Sequence, residues 1–595
     1  MNRDSHRDIH RLAEALDFLL VNTPFVEHNY SQSPQLGMLY VAASLDAAGF
    51  SVGVLDQPIV GAERLVEAVR RHQPRVLGFH VTTDSLARIR RAIGILRSEG
   101  IEPPLIIFGG PHVTIEDESL LQSGCGRIIV RGEGEDTVVE IARWWFHREI
   151  PLEEIKGITY LNDDHELIRN VDRSFVEDLD RLPFPDRRFL LTPQNPRTYE
   201  IITGRGCPFH CAFCAEGLAG FRYRFRSPES VMREIRDIVE DNSNVYLGIL
   251  DDTFLVDRQR VEKIANALLA AYGPTKRVVW FCEGRVDFIV NNADLFPLLR
   301  DAGLVRVQIG LESGNQQVLD SYQKGIRLEQ VEDAVSILRD AGIPSIYGNF
   351  IVGGAFETRK TIEDSISFAR HLINLAPGRM ECSASMLALY PGTAMAENPG
   401  SFGLHAVDPK MRRCLSIQHP VAETNELNTF DILQAFHQFN QEVWKEYESA
   451  LPQVPMTLIR QHLDLVKFGL TTRWAGFFLR YSCIQTFSEL TQIGYHSLRA
   501  IPPELVLSAV PRRTMTVLET DGRQFQVTAS PRKIVFNEMA GRIFESASGK
   551  LSVREIIEDL RQTIEFLPPE PILTEHVVEA LQDMEDRFLV VFSNC

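Results

Sequence analysis

Short apolar runs alternate with helical patterns between residues 16 and 145, and this alternation limits the possible folds of the chain more than any other feature. Strands that alternate with helices form parallel sheets with helices on both faces. We therefore predict a doubly wound α/β domain over residues 1–150. Ligands of such sheets bind beyond the carboxyl ends of the strands. The loops expected there are polar or rich in glycine: Asn22-Thr23-Pro24, His80 to Asp84, Gly109-Gly110-Pro111-His112 and Gly132-Glu133-Gly134-Glu135.

A second alternating series occupies residues 195–395, after a hairpin pattern and a proline-bearing linker at residues 151–194. Functional residues of β/α barrels lie on the loops that follow the strands. Each candidate strand of this series ends in a polar or glycine-rich stretch, and this register predicts a full or partial barrel. The stretches are a cysteine-rich loop, Asp251-Asp252, Gly284-Arg285, Glu312-Ser313-Gly314, Gly353-Gly354 and Pro391-Gly392-Thr393.

The remainder of the chain divides at about residue 510. Residues 396–510 have mainly helical periodicity and no chemical motif. Residues 511–595 contain two strand patterns on either side of Asp521-Gly522, a typical hairpin turn, and then three helical runs and a final strand. This order predicts a small winged-helix-like module.

Composition and charge exclude several classes of protein. A hydrophobic content of 44% and a charged content of 24% are ordinary for a soluble globular chain. The net charge of −18 argues against general nucleic-acid binding. No apolar run approaches the ~20 residues that span a bilayer, and the charged N-terminus lacks a small-residue cleavage site. We therefore expect a cytoplasmic protein.

Three of the nine cysteines, Cys207, Cys211 and Cys214, lie in the stretch GRGCPFHCAFCAEG. Three thiolates on one short loop can hold a metal or a cluster. Structural zinc would need a fourth ligand; no second cysteine or histidine pair follows, although His210 could be recruited. A redox C-x-x-C pair would leave Cys207 unexplained, and burial as small apolar side chains is the remaining interpretation. A four-iron cluster on three thiolates keeps one iron open for a substrate or cofactor.

The C-x3-C-x2-C spacing, with Phe213 before the last cysteine, resembles the radical S-adenosylmethionine (SAM) superfamily. The resemblance continues through RSPESVMREI, LGILDDTFLVD, GLESGNQQVLDSYQKG and FIVGGAFET. Upstream, QLGMLYVAASLDAAGFSVGVLD, FGGPHVT and VRGEGE resemble the N-terminal domain of cobalamin-dependent radical SAM enzymes. The resemblance implies a Rossmann-like cobalamin domain, a partial (β/α)6 barrel, and three cofactors: a [4Fe-4S] cluster, SAM and cobalamin. The D-x-H-x-x-G signature that supplies a histidine ligand to cobalt in other cobalamin proteins is absent.

The resemblance also implies roles for individual residues. The three clustered cysteines would bind the cluster, and Asp251 or Asp252 would bind the SAM ammonium unless the pair is only a strand-end turn. Arg285 would pair with the SAM carboxylate, for which a guanidinium fork is suited. The other expected SAM contacts are Glu283, Glu312, Ser313, Gly353 and Gly354, although these two glycines could equally serve turn geometry.

Cobalamin contacts are expected on the loops of the first domain. His80 is either a cobalt ligand or an ordinary hydrogen-bonding residue, and the glycines would admit the corrin and its nucleotide tail. Cys125 and Cys282 are interpreted as structural. The expected cobalamin contacts are Asn22, Pro24, His80, Val81, Thr82, Gly109, Gly110, His112, Gly132, Glu133 and Gly134.

These cofactors carry the reaction while the protein positions them, and the resemblance implies methyl transfer from SAM through methylcobalamin to an unactivated carbon. Some relatives cyclise or rearrange their substrates instead. Residues 511–595 resemble the recognition domain of ribosomal-peptide maturases, which binds a leader peptide by strand addition; a structural cap is the alternative.

Three functional classes follow. The first is a peptide methyltransferase of natural-product biosynthesis. The second uses the same cofactors on a small substrate such as free tryptophan or another amino acid. The third is a zinc-stabilised binding protein without catalysis. The enzyme hypotheses imply a peptide or small-molecule substrate, possible leader-peptide binding and a reductant such as flavodoxin, with no nucleic-acid or membrane partner.

Overall fold

The computed structural model describes most of the chain, and its described residues divide into two compact units. The first unit takes its residues from 1–343, 347–369 and 382–441, and the second from 344–346, 370–381 and 442–595. Pro24 and its predicted cobalamin contact lie outside the described residues. The described residues are 15–23, 34–56, 63–191, 198–216, 222–240, 242, 244–407, 420–492, 495–514, 519–520, 525–527, 534–564 and 567–593.

The first sheet belongs to the first unit and has seven strands. They are β1 (Phe18–Asn22), β2 (Val52–Asp56), β3 (Val76–His80), β4 (Leu105–Gly109), β5 (Ile128–Val130), β6 (Ile158–Leu161) and β7 (Leu167–Arg169). Their order is β2-β1-β3-β4-β5-β6-β7. The first five strands are parallel, as predicted, and the strand order reverses beside β1. The predicted hairpin forms β6 and β7, which extend this sheet in antiparallel pairing.

Helices cover both faces of the first sheet because its strands are apolar on both sides. Phe18 and Leu20 of β1 pack into one buried cluster, whereas Leu19 and Val21 pack into another. Continuous apolar strands of this kind are typical of parallel sheets buried on both faces. The helices of this region are α1 (Leu36–Ala47), α2 (Glu63–His72), α3 (Leu86–Ser98), α4 (Pro111–Ile115), α5 (Ser119–Gln122) and α6 (Glu135–Ala142).

The second sheet has six strands that follow one another in chain order. They are β8 (Thr198–Ile201), β11 (Val245–Ile249), β12 (Val278–Gly284), β13 (Leu304–Glu312), β14 (Ser345–Val352) and β15 (Met380–Met386). The first four are parallel, which confirms an α/β series. Two short strands, β9 (Gly204–Arg205) and β10 (Arg224–Phe225), form a separate antiparallel pair. The closure of this sheet into a partial barrel stays a prediction.

Helices connect the strands of the second sheet. They are α7 (Pro228–Glu240), α8 (Arg258–Tyr272), α9 (Val286–Asn291), α10 (Phe296–Asp301), α11 (Gln316–Ser321), α12 (Leu328–Asp340), α13 (Arg359–Leu375) and α14 (Ala394–Glu397). Downstream, the antiparallel pair of β16 (Leu404–Ala406) and β17 (Ala422–Thr424) precedes the mainly helical region. That region contains α15 (Thr429–Ala450), α16 (Met456–Lys467), α17 (Arg473–Phe478) and α18 (Ser482–Gln492).

The C-terminal residues belong to the second unit. The predicted strands on either side of Asp521-Gly522 do pair, with Glu519 opposite Gln526. The strands of this C-terminal segment are β18 (Val510–Arg513), β19 (Glu519–Thr520), β20 (Phe525–Val527), β21 (Ile534–Phe536) and β22 (Val590–Ser593). Its helices are α19 (Glu538–Ser546), α20 (Val553–Thr563) and α21 (Glu570–Asp586). Strands β19, β20 and β21 form one small sheet, and β18 pairs with β22.

The C-terminal segment shares contacts with the helical region that precedes it. Arg460 donates to the carbonyl of Glu585 at 2.8 Å, and a carboxylate oxygen of Glu585 accepts the N–H of Leu498 at 3.1 Å. Every helix among the described residues is too short or too polar to cross a membrane.

Candidate functional site

The cysteine loop, described over residues 206–216, starts directly after β9, and the pairing of β9 with β10 closes its base. Gly206 has a φ of +75°, a conformation that glycine adopts without strain. Ala212, which lies among the cysteines, is fixed through both of its backbone polar groups. Its N–H donates to the carbonyl of Tyr322 at 2.9 Å, and its carbonyl accepts the N–H of Met395 at 3.1 Å. The protein therefore holds the loop through backbone bonds that do not depend on the thiols.

The three clustered cysteines form no disulfide bond within the described part of the chain, and they are half-buried. Burial raises the pKa of the Cys207 thiol, and the nearby Asp252 and Cys211 raise it further, while Arg285 opposes them. Among the described residues, no three His, Cys, Asp or Glu side chains are grouped closely enough to hold one metal ion. A zinc site needs each sulfur within about 2.3 Å of one point, whereas the thiolates of a cluster bind separate irons. Three thiols on one loop fit a cluster.

Arg285 lies against this loop. Its guanidinium carbon is 3.8 Å from the ring centre of Phe209, which lies between the first two cysteines. Its Nη2 donates to the carbonyl of Lys324 at 2.7 Å, and its Nε donates to Asp287 at 3.1 Å. These contacts fix a positive charge beside Cys207. Phe209 is an aromatic residue inside the cysteine motif, and this position is a sequence signal that could have identified it as a site residue.

The two adjacent aspartates have different surroundings. Asp251 is buried and accepts from the N–H and the hydroxyl of Thr203, both at 2.6 Å, and burial raises its pKa to about 6. Asp252 instead lines a cavity together with Glu216. Burial and the neighbouring charge of Glu216 raise the pKa of Asp252 to about 7. Asp251 thus stabilises the strand end, and Asp252 is the aspartate available to a ligand. Glu216 is a residue that the sequence reasoning missed.

Glu283 and Glu312 extend this group of carboxyls along the strand ends. Burial and the charge of Asp252 raise the pKa of Glu283 to about 7, and its carboxylate accepts from Gln308 at 2.9 Å. Glu312 has a φ of +61°, which is strained for a residue with a side chain. It forms an ion pair with Lys324 at 2.5 Å. Lys324 therefore balances the charge of Glu312. From the sequence, Glu312 is an expected SAM contact.

Three further predicted SAM contacts have structural roles. Ser313 is fully buried, and its hydroxyl lies 3.2 Å from that of Ser365. A Cβ at Gly353, whose φ is +78°, would lie 2.7 Å from Ile432, and one at Gly354 would lie 1.7 Å from the hydroxyl of Tyr322. These glycines are required by turn geometry and close packing.

A cavity of about 340 Å³ lies between the carboxyl ends of the first sheet and the base of the cysteine loop, both within the first unit. Gly109, Gly132 and Gly134 line this cavity, and each has room for a Cβ. A Cβ at Gly109 would have its nearest neighbour at 3.8 Å, one at Gly134 at 3.4 Å, and one at Gly132 would meet nothing within 4 Å. These positions form a cradle that side chains would fill, and such an edge fits a large flat ligand such as a corrin.

The other wall of the cavity belongs to the cysteine-loop region. It includes Gly204, Arg205 and Gly206 at the loop's start, and Glu216 and Asp252. The sequence analysis had not singled out Arg205, although it stands two residues before the first cysteine.

His80 lies on the cavity wall within a polar network. Its Nδ1 is 3.4 Å from Asn22, and its Nε2 is 3.4 Å from the side chain of Gln35. Asn22 in turn donates to Asp56 at 3.0 Å, and burial raises the pKa of that carboxyl. Asn22 thus supports His80 without itself lining the cavity.

The remaining predicted cobalamin contacts divide into two groups. Glu133 and Gly110 line the cavity, although Gly110 is also required because a Cβ there would lie 2.8 Å from the carbonyl of Val81. Val81, Thr82 and His112 do not line it. His112 is buried, with its Nδ1 3.1 Å from the hydroxyl of Thr83.

Two protein-family models match this chain. Residues 201–369 match the radical SAM superfamily, and residues 23–142 match the B12-binding domain. The first match implies a [4Fe-4S] cluster and SAM, and the second implies cobalamin. The chain is thus an enzyme with a radical SAM domain and a B12-binding domain.

Known proteins with similar sequences and folds differ in their reactions. The chain is 28% identical over 357 residues to the anaerobic magnesium-protoporphyrin IX monomethyl ester cyclase of Rubrivivax gelatinosus, across 57% of this chain and 62% of that protein. It shares its fold with the radical SAM methyltransferase TsrM from Kitasatospora setae (TM-score 0.56, 18% identity, 72% of this chain and 89% of that chain). It also shares its fold with the cobalamin-dependent radical enzyme OxsB (TM-score 0.59, 16% identity, 97% and 84%).

Proposed function

We propose that this enzyme transfers a methyl group from SAM, through cobalamin, to an unactivated carbon of its substrate. The cavity carries this proposal, because one wall is the glycine edge of the B12-binding sheet and the other is the base of the cysteine loop. A ligand at the glycine edge therefore faces the loop that would hold the cluster and SAM. The fold shared with a radical SAM methyltransferase supports the same reaction.

Cobalamin bound at this edge would supply a carbon-bound cobalt centre that carries the methyl group. The protein's own residues bind and orient the cofactors. Cys207, Cys211 and Cys214 would hold the cluster. Arg285, fixed over Phe209, offers a guanidinium to the SAM carboxylate, and Asp252 offers its carboxyl to the SAM ammonium.

A cyclisation with the same cofactors is the second candidate reaction, favoured by the relative from Rubrivivax gelatinosus, whose name is that of a cyclase. The two reactions differ in what becomes of SAM. Methyl transfer to an unactivated carbon consumes two SAM molecules: one donates its methyl group and leaves S-adenosylhomocysteine, and the other is reductively cleaved to methionine and a 5′-deoxyadenosyl radical, which takes up the substrate hydrogen. A cyclisation that uses SAM only as a radical source produces 5′-deoxyadenosine and methionine alone. Product analysis after anaerobic reconstitution distinguishes them. Formation of 5′-deoxyadenosine without S-adenosylhomocysteine contradicts the proposed methyl transfer.

We further propose that the substrate is a ribosomally made peptide and that residues 511–595 form a winged-helix-like module that binds its leader. Strand β21 supports this, because it is an edge strand of the small sheet and Val535 on it is 49% exposed. An exposed sheet edge can accept an extended peptide as an additional strand. The segments 1–150, 151–194, 195–395, 396–510 and 511–595 are proposed as the functional divisions of the chain.

The peptide proposal can be tested by titrating a labelled leader peptide into the full-length protein. Val535→Asp places a charge on the edge strand. We expect it to weaken leader binding about 10-fold, because the carboxylate loses water when the peptide binds. Ile572→Asp is the matched control, because Ile572 is 46% exposed but lies on α21. Unchanged binding in the edge variant contradicts strand addition at β21.

A small substrate is the alternative to a peptide, and TsrM provides a precedent because its structure holds tryptophan as substrate. Turnover should therefore be compared for a leader-bearing peptide, a leaderless core and free amino acids. A free amino acid as the best substrate, with no leader binding, would replace the peptide proposal. Reductants such as flavodoxin can be compared in the same assays.

A further inference from the structure

Two ion pairs join the start of the cysteine loop to the glycine-rich loop of the first sheet. Arg205 lies on β9 and is followed by Gly206 and Cys207. Its Nη1 donates to Glu133 at 2.9 Å and its Nη2 donates to Glu135 at 2.6 Å. One guanidinium therefore holds Glu133, in the glycine-rich loop that follows β5, and Glu135, the first residue of α6.

A second arginine completes the connection from the other strand of the pair. Arg224 on β10 donates through Nη1 to the other oxygen of Glu133 at 3.0 Å and to the carbonyl of Val176 at 2.7 Å. Glu133 also accepts the N–H of Val176 at 2.6 Å. Both oxygens of Glu133 are thus engaged, and both strands at the base of the cysteine loop are fixed to it.

These side chains are largely shielded from water. The exposed fraction of the side chain is 16% for Arg205, 13% for Glu133 and 5% for Glu135. Burial alone raises the pKa of Glu133, but the bonds from Arg224 and Arg205 outweigh it and lower that pKa overall. Surface ion pairs contribute little because water screens them, whereas loss of one partner here leaves a buried charge unpaired.

We propose that Arg205 is a positioning residue that fixes the separation between the glycine-rich loop and the cysteine loop, and so between the two cofactors that these loops hold. Arg205 and Glu133 both line the cavity between the loops. The backbone hydrogen bonds of Ala212 hold the middle of the cysteine loop, whereas Arg205 holds the residue at which the loop begins. This inference rests on the cofactor assignment, and the proposed methyl transfer enters only through the turnover measurement.

The test compares Arg205→Gln and Arg205→Lys in the full-length, reconstituted enzyme. Iron content and bound cobalamin are measured first, because a positioning residue leaves both loaded. The readout is the relaxation enhancement that the reduced cluster produces in the cob(II)alamin electron paramagnetic resonance signal, since it depends on their separation. We expect Arg205→Gln to reduce it. Arg205→Lys should restore it in part, because lysine keeps the charge but lacks the fork that reaches two carboxylates.

Turnover provides an independent measurement. Methylation of bound cobalamin by SAM should fall by about 10²-fold in Arg205→Gln, the order of loss expected when reacting groups are displaced by ~1 Å. If neither the parent nor any variant methylates cobalamin, this contradicts the proposed function but not the role of Arg205. The resonance measurement does not require methyl transfer.

Arg181→Gln is the matched control. Arg181 pairs with Asp136, the residue next to Glu135, but the side chains of this pair are 46% and 37% exposed. We expect this variant to keep the parent's relaxation enhancement. Should Arg205→Gln fail to load its cofactors, Glu135→Ala decides the question, because it removes the acceptor of one of the two bonds and leaves the bond to Glu133. Loaded Arg205→Gln or Glu135→Ala protein with unchanged relaxation enhancement overturns the proposal.

Discussion

Glycines at the strand ends of the first sheet determine whether the cavity can hold a large ligand. Most glycines near the site have a backbone reason for their identity: Gly110 and Gly353 have positive φ values and would bring a Cβ into contact with neighbours. Gly109 differs, because its φ is not in the left-handed region and an added Cβ would have only ordinary contacts. A side chain there would extend into the cavity without distorting the backbone.

We therefore predict that Gly109→Leu abolishes cobalamin loading while the protein remains folded. The leucine side chain would occupy the cavity of about 340 Å³ beside the glycine edge. The measurement is the ratio of bound cobalamin to protein after reconstitution, together with iron content. Gly94→Leu is the control, because Gly94 lies on the exposed face of α3 with nothing within 4 Å of its Cβ position. Equal cobalamin loading in the two variants contradicts the assigned site.

Glu357 determines a pH dependence of stability. Its side chain is buried and accepts the N–H groups of Gly353 at 2.6 Å and Gly354 at 3.0 Å, and burial raises its pKa from 4.5 to about 7. Its other carboxylate oxygen has no hydrogen-bond partner among the described residues, as is also true of the nearby Tyr322 hydroxyl. Between pH 4.5 and 7 the folded state binds more protons than the unfolded state, so stability falls as pH rises through this window.

Glu357→Gln should remove this cost, because the amide oxygen still accepts both N–H groups and carries no charge. Relative to the parent, the variant should gain about 2–3 kcal/mol of unfolding free energy when the pH is raised from 5 to 8. Chemical denaturation of the two proteins at both pH values measures it. The same difference at pH 5 and pH 8 would mean that Glu357 has an ordinary pKa in the folded protein.

Sequence reasoning identified the strand ends but could not decide which residue of each pair faces a ligand. Asp251 and Asp252 are adjacent, and only the structure shows that Thr203 engages the first. The hydroxyl of Ser313 lies beside that of Ser365 on α13, and the expected contact of Ser313 with SAM stays a prediction. Arg205 and Glu216 were missed because their partners are distant in sequence, and no local pattern encodes such a contact.

At the scale of elements, the cysteine loop is anchored by hydrogen bonds of Ala212 and by the β9–β10 pair. None of these contacts uses a thiol. The loop can therefore keep its position when the thiols are removed, which separates cluster binding from folding.

The triple variant of Cys207, Cys211 and Cys214 to alanine should fold, lack the cluster and lose all cleavage of SAM. Three thiolates are the protein's anchors for the cluster, so no partial loading is expected. Iron and sulfide analysis and the melting temperature provide the measurements. Cys125→Ala, a buried cysteine outside the loop, is the control that keeps its iron. Full iron content in the triple variant would contradict the assignment.

The strands and helices of the first sheet were predictable because their periodicity is strong and their ends carry glycine or polar signals. The hairpin at residues 151–194 was also predicted, but its place as β6 and β7 of the first sheet was not. Strand pairing between segments depends on which edge remains free, and that information is spread over the whole sheet. Residue periodicity alone therefore predicts elements better than it predicts their neighbours.

At the scale of the whole molecule, the predicted boundary at residue 510 falls between segments that share contacts. Leu498 donates its N–H to a carboxylate oxygen of Glu585, and Arg460 donates to the carbonyl of Glu585 on α21. Removal of residues 511–595 would leave buried partners of the preceding helices exposed. Point variants such as Val535→Asp are therefore better tests of this segment than truncation.

In the proposed reaction, one cavity brings cobalamin to the loop that binds the cluster and SAM, so that a methyl group moves from SAM to cobalamin. The most direct measurement incubates the reduced, reconstituted enzyme with SAM carrying a ¹³C-labelled methyl group and determines the mass of the bound cobalamin. We predict labelled methylcobalamin together with S-adenosylhomocysteine. Unlabelled cobalamin, with 5′-deoxyadenosine and labelled methionine as the products of SAM, would contradict the account.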